Sequence, residues 1–191
     1  FLAVGSSWIR VPETIRINLK GKEGPGVYAR DVGQASTALI GYEQADYRMI
    51  EYGGDYVDRL SIDGRQVLCN IVIEVGAKSA FINPDKKACD YVRSVTSQPF
   101  EPLSSDPDAN YAMVLDLDVS TLVPQVAAPP SPDNVIPVSD VEGKSISQAF
   151  IGSCAGGMLE ELRIAASVLK GRRVARNVRT FIAPGTQRIY A

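Results

Sequence analysis

Five prolines fall within "VPQVAAPPSPDNVIPV": Pro124, Pro129, Pro130, Pro132 and Pro137. Each lacks a backbone N–H and fixes φ, so neither a helix nor the interior of a sheet can run through this stretch. Alternating strand and helix patterns occur on both sides of it, so it reads as a boundary between two α/β regions. The expected division is residues 1–123, a complete α/β domain; residues 124–145, a proline-rich connector; and residues 146–191, the first β-α-β part of a second α/β domain.

In the first region "ETIRINLKG" alternates, with Ile15, Ile17 and Leu19 on one face and Arg16, Asn18 and Lys20 on the other, the period of a half-buried strand. "ARDVGQASTALIG" predicts a short helix ending at Gly41, and "YRMIEYGG" a second strand. "SIDGRQVLCNIVIEVG" predicts a helix with Ser61 as its N-cap and Gly76 as the left-handed residue just past its end. "KSAFI" reads as a strand, "DKKACDYVRSV" as a helix, and "YAMVLDLDVSTL" as a strand with acidic residues on its exposed face.

After the prolines comes a strand, "SISQAFIG", then the turn Ser153-Cys154-Ala155-Gly156-Gly157. A helix from Met158 to Lys170 follows, with Leu159, Leu162, Ala165, Ala166 and Leu169 as its apolar stripe and Gly171 as its stop. "NVRTFIAPGT" is the next strand, so the unit is β-α-β and its strands are expected to be parallel. One helix and two strands cannot bury both faces of such a sheet, so this region reads as unfinished.

The chain contains no histidine, which removes the commonest general base and metal ligand and any Ser-His or Cys-His pair. A net charge of −2 leaves no electrostatic footprint for nucleic acid. No apolar run approaches a membrane span, and "FLAV" at the start is too short for a signal-peptide core. The three cysteines, Cys69, Cys89 and Cys154, are odd in number and widely spaced, which fits a reducing cytoplasm better than a disulfide framework.

A cysteine at a glycine-flanked strand-to-helix turn admits four readings. Gly152-Ser153-Cys154-Ala155-Gly156 has the shape of a nucleophile elbow, but its usual histidine is missing. A phosphate-binding loop would need glycine and lysine spacings that are absent. A small core thiol in a tight turn is the plain reading. A thiolate ligand to an iron–sulfur cluster fits the turn, though no C-x-x-C is present. The glycines at 152, 156 and 157 would let a bulky group approach the backbone, and the following helix N-terminus would favour a thiolate. Asn70 and Glu74 are a second constellation, four residues apart on one helix and therefore on one face, with apolar neighbours that would bury the carboxylate.

"IGSCAGGMLEELRIAASVLKGRRVA" closely resembles the cluster-cysteine segment of the aconitase superfamily, in particular its 3-isopropylmalate dehydratase large subunits. "VPETIRINLKGKEGPGVYARDV", "LSIDGRQVLCNIVIEVGAKSAFINPD", "DPDANY" and "PQVAAPPSPDNVIPVSD" are similar to that family in the same order. The resemblance implies an aconitase-like α/β fold, with residues 1–123 corresponding to the second family domain. It also implies that the chain is part of a large subunit, with a separate swivelling small subunit as partner. Cys154 would then be one of three thiolates of a [4Fe–4S] cluster, the other two lying outside this chain. Asn70 and Glu74 would line the cluster site, and Cys69 and Cys89 would be ordinary thiols. The implied activity is dehydration and rehydration of a malate-type hydroxy di- or tricarboxylate, 3-isopropylmalate foremost. A homoaconitase- or aconitase-type substrate, or a cluster-free binding or assembly module, are the alternatives. The family's Thr-Asn after the cysteine is Ala155-Gly156 here, which removes two polar side chains from that site.

Overall fold

A computed structural model describes residues 3–191; Phe1 and Leu2, half of the opening "FLAV", lie outside the described residues. The first region runs β1 (Thr14–Lys20), α1 (Ala29–Ile40), β2 (Met49–Gly53), α2 (Asp55–Arg59), α3 (Ile62–Ile71), β3 (Ser79–Ile82), α4 (Lys86–Val95) and β4 (Met113–Asp118). The four strands form one parallel sheet in the order β3-β2-β1-β4. The alternation in β1 sets its two faces. Ile15, Ile17 and Leu19 are fully buried and share a core with Val32 and Ile40 of α1, Leu68 of α3, and Tyr52 of β2. Burying side chains of this size is worth about 1.5–3 kcal/mol each, so this face holds the region together.

The opposite face of the sheet is polar, and the segment between α4 and β4 reaches across it. Glu51, on β2, is 1% exposed and accepts from four groups. Arg16 of the neighbouring strand pairs with Oε1, and Asn83 donates to the same oxygen at 3.1 Å. Ser105 and Tyr111 donate to Oε2 at 2.7 and 3.0 Å. A buried carboxylate needs such full satisfaction, and here it fastens the 96–112 segment over the sheet.

Local chemistry places the helix ends where the sequence reading put them. Ser61 Oγ accepts from Gly64 N at 2.9 Å, a cap worth about 1 kcal/mol. Gly76 takes the left-handed conformation, φ +84°. Between them α3 tightens at Val72 into a 3₁₀ turn, Val72–Val75. The short helix α2 was not expected; it begins straight after Gly54, whose φ of +102° turns the chain out of β2.

The proline-rich stretch is locally ordered. It contains a short antiparallel pair, β5 (Gln125–Ala127) and β6 (Val135–Pro137). Prolines are tolerated because this ribbon has only two strands, so each has a free edge. The ribbon is docked on α1: Asp31 accepts from Gln125 N at 2.8 Å, and Gln34 donates to the Pro132 carbonyl. Asp133 accepts from Tyr42 N at 2.9 Å.

The last region contains β7 (Gln148–Gly152), α5 (Leu159–Leu169), β8 (Arg179–Ala183) and the single turn α6 (Gln187–Tyr190). β7 and β8 pair in parallel, as the β-α-β pattern requires. Phe150, Phe181 and Ile182 of this two-stranded sheet stay exposed.

Candidate functional site

Cys154 lies two residues beyond the C-terminal end of β7 and five before the first residue of α5. Ser153 adopts φ +75°, a left-handed conformation that a non-glycine residue holds only under constraint. The turn's own packing requires glycine at these positions. A Cβ at Gly152 would stand 2.5 Å from the Ala183 carbonyl oxygen, and one at Gly157 would stand 2.7 Å from that of Ser153. At the start of α5, Glu160 N donates to Asp63 Oδ2 at 3.0 Å, and Ser61 bonds the Glu160 side chain.

Cys154 is exposed and lines an open cleft of about 730 Å³. The opposite wall comes from the N-terminal turns of α1 and the end of α3, and the floor includes β5. Asn70, near the end of α3, donates from Nδ2 to the Cys154 carbonyl at 2.8 Å. Arg30, in the first turn of α1, donates from Nη1 to the next carbonyl, that of Ala155, at 3.1 Å. Asn70 and Cys154, far apart in sequence, are therefore in direct contact, and Glu74 lines the same cleft.

Glu74 itself corrects one expectation. It is exposed, not buried, because the tightening of α3 into the 3₁₀ turn sends Val72 and Val75 to the core and turns Ile73 and Glu74 outward. Apolar neighbours in sequence did not mean apolar neighbours in space. Glu161, on the first turn of α5, is a cleft carboxylate that the sequence reading missed. Among the described residues its Oε2 has no partner. Burial, with the Glu160 and Asp63 charges adding, holds its carboxyl above the ordinary range. The only sequence cue was its place on the first turn after the cysteine.

All three cysteines are free, and the other two lie outside the cleft lining. Burial pushes the Cys69 thiol up to about 11, so it stays protonated and inert near neutral pH. Among the described residues no group of three or more Cys, Asp or Glu side chains is placed to hold a metal ion. The donor set therefore fits a [4Fe–4S] cluster only in part: one accessible sulfur at the cleft wall. No helix among the described residues is long and apolar enough to cross a membrane.

The family model of the aconitase family (aconitate hydratase) matches residues 1–145 and 139–191. A 3-isopropylmalate dehydratase large subunit 1 of Methanopyrus kandleri is 47% identical over 98% of this chain and 45% of its own length. A 3-isopropylmalate dehydratase large subunit of Heliobacterium modesticaldum is 43% identical over 99% of the chain and 45% of its own length. A probable methanogen homoaconitase large subunit of Methanothermobacter thermautotrophicus is 43% identical over 98% of the chain and 44% of its own length. The chain thus spans a little under half the length of these relatives. With matched segments that together cover it from end to end, a parallel α/β sheet and a glycine-flanked cysteine turn after β7, the chain belongs to the aconitase family.

Proposed function

We propose that this chain forms part of the large subunit of a hydro-lyase of the 3-isopropylmalate dehydratase type, working with a separate small subunit on a malate-type hydroxy acid. The observation that carries this reading is the meeting of Asn70, Glu74 and Cys154 at one cleft, in a chain so similar to the large subunits named above. Cys154 is the one thiolate this chain offers to a [4Fe–4S] cluster, and the further ligands come from outside residues 1–191. When bound, such a cluster supplies a Lewis-acidic iron for the substrate hydroxyl.

The chain's own residues would do the rest. The Glu74 side chain, exposed to the cleft, would hydrogen-bond the substrate hydroxyl that leaves as water and position it for protonation. The Asn70 amide holds the cysteine turn against α3. The proline-rich segment 124–145 divides a complete α/β domain, 1–123, from the part that carries the cysteine, 146–191. Three unpaired cysteines support a reducing, cytoplasmic setting.

The similarity to a homoaconitase large subunit is of nearly the same strength and supports a second substrate class, a longer tricarboxylate. The test is anaerobic reconstitution of the full-length protein with its small subunit, followed by hydration and dehydration assays. Turnover of 3-isopropylmalate at least tenfold above that of homoaconitate is the expected result. A reversed preference would assign the homoaconitase reading. No turnover of either, with no iron or sulfide retained, would leave a cluster-free binding module.

A further inference from the structure

We infer that Arg30 is a positioning residue that clamps the Cys154 turn from the first region of the chain. Four hydrogen bonds join the α1–α3 side of the cleft to residues 154–160: Arg30 to the Ala155 carbonyl, Asn70 to the Cys154 carbonyl, Ser61 to the Glu160 carboxylate, and Asp63 from Glu160 N. Two of the four seize consecutive carbonyls at the cysteine itself. Holding both fixes the orientation of the peptide units on either side of residue 155, and with them the direction in which Cys154 Sγ leaves the turn. The left-handed Ser153 just before it is an independent sign that the turn is held in place, since such a conformation is strained for a non-glycine residue and persists only where surrounding contacts enforce it.

The place of Arg30 argues against a role in its own helix. It stands in the first turn of α1, where the helix dipole disfavours a cation. The N-terminal amide of Tyr28 is already satisfied by Asp31, at 2.9 Å. Removing the Arg30 side chain therefore takes no cap from α1. What it removes is a charged donor to the cysteine turn, a bond stronger than a neutral one.

The experiment is amide hydrogen exchange on the full-length protein, wild type against Arg30→Ala and Arg30→Lys. The reporter is Gly185, whose N–H donates to the Gly157 carbonyl of the turn at 2.8 Å. The control is the buried strand β1. In Arg30→Ala, exchange at Gly185 is expected to rise about tenfold or more, with β1 exchange and the melting temperature unchanged. Arg30→Lys, which keeps a charged donor, is expected to recover most of the protection. Unchanged exchange at Gly185 in Arg30→Ala would overturn the inference. So would a rise shared equally by β1 with a lower melting temperature, which would make Arg30 a general support of the fold. The readout needs no cluster and no substrate, so it stands or falls apart from the hydro-lyase reading.

Discussion

Glu74 and Asn70 sit one helical turn apart, yet the two side chains meet different surroundings. Asn70 spends its amide on a carbonyl of the cysteine turn, whereas Glu74 is exposed at the cleft. An exposed carboxylate with no structural bond has little to contribute to folding, because surface substitutions of this kind change stability by less than about 0.5 kcal/mol. Glu74→Gln in the complete enzyme should therefore leave the melting curve in place. If the carboxylate acts on the reacting water, turnover per cluster should fall about 10²-fold or more. Melting curves and specific activity of cluster-loaded protein, measured together, check this; normal turnover with an unmoved melting curve would remove Glu74 from the reaction. The i, i+4 spacing pointed to one face for Asn70 and Glu74, and both line the cleft although Glu74 falls in the 3₁₀ turn beyond α3. The exposure of Glu74 was not, because the change from α to 3₁₀ at Val72 depends on tertiary packing of Val72 and Val75. Arg30 and Glu161 were illegible for a related reason: each enters the site through its fold neighbours, not through a motif.

Among the elements, those with strong period and clear ends were readable. The buried row of β1, the Ser61 cap and the Gly76 stop all follow from local rules. The β5–β6 ribbon was not readable, since its pairing rests on docking against α1 through Asp31 and Gln34. The junction of α3 with α4 also depends on a tertiary bond. Asp85 caps α4 by accepting from Ala88 N at 2.9 Å, and it pairs with the buried Arg65 of α3 at 2.5 Å. The Arg65 guanidinium, aided by that amide, lowers the Asp85 carboxyl to about 2. The unfolded chain has this group near 3.9. A depressed folded value means the unfolded state takes up the proton first as pH falls. The stabilisation is therefore full above about pH 4 and is lost as pH drops through about 2. Asp85→Asn keeps a good N-cap but removes the charge. Urea midpoints measured from pH 5 to pH 2 should show the wild type losing stability more steeply than Asp85→Asn. Parallel pH profiles would show that the ion pair contributes nothing to the coupling of α3 and α4.

At the scale of the whole molecule, one accessible thiol faces the cleft, and a [4Fe–4S] cluster is held by several cysteine thiolates. Cys69 cannot readily join it: it lies outside the cleft lining, and partial burial pushes its thiol to about 11, a cost of ionisation that falls on any metal that would use it. Cys89 belongs to α4, which adds nothing to the cleft lining. Nor can carboxylates substitute, since no cluster of donors among the described residues is placed for a metal. The 191-residue chain by itself is therefore expected to take up no stable cluster. Anaerobic reconstitution with iron and sulfide, gel filtration, and then iron and sulfide analysis with visible absorption spectra would check this. Cys154→Ser in the full-length protein, by contrast, should abolish retention of the cluster while leaving the melting curve close to wild type, because the side chain is exposed and makes no bond to the core. A stoichiometric cluster that survives gel filtration on the chain alone would contradict the ligand assignment. Loss of that cluster in Cys69→Ser or Cys89→Ser would then identify which thiol had been misread as inert.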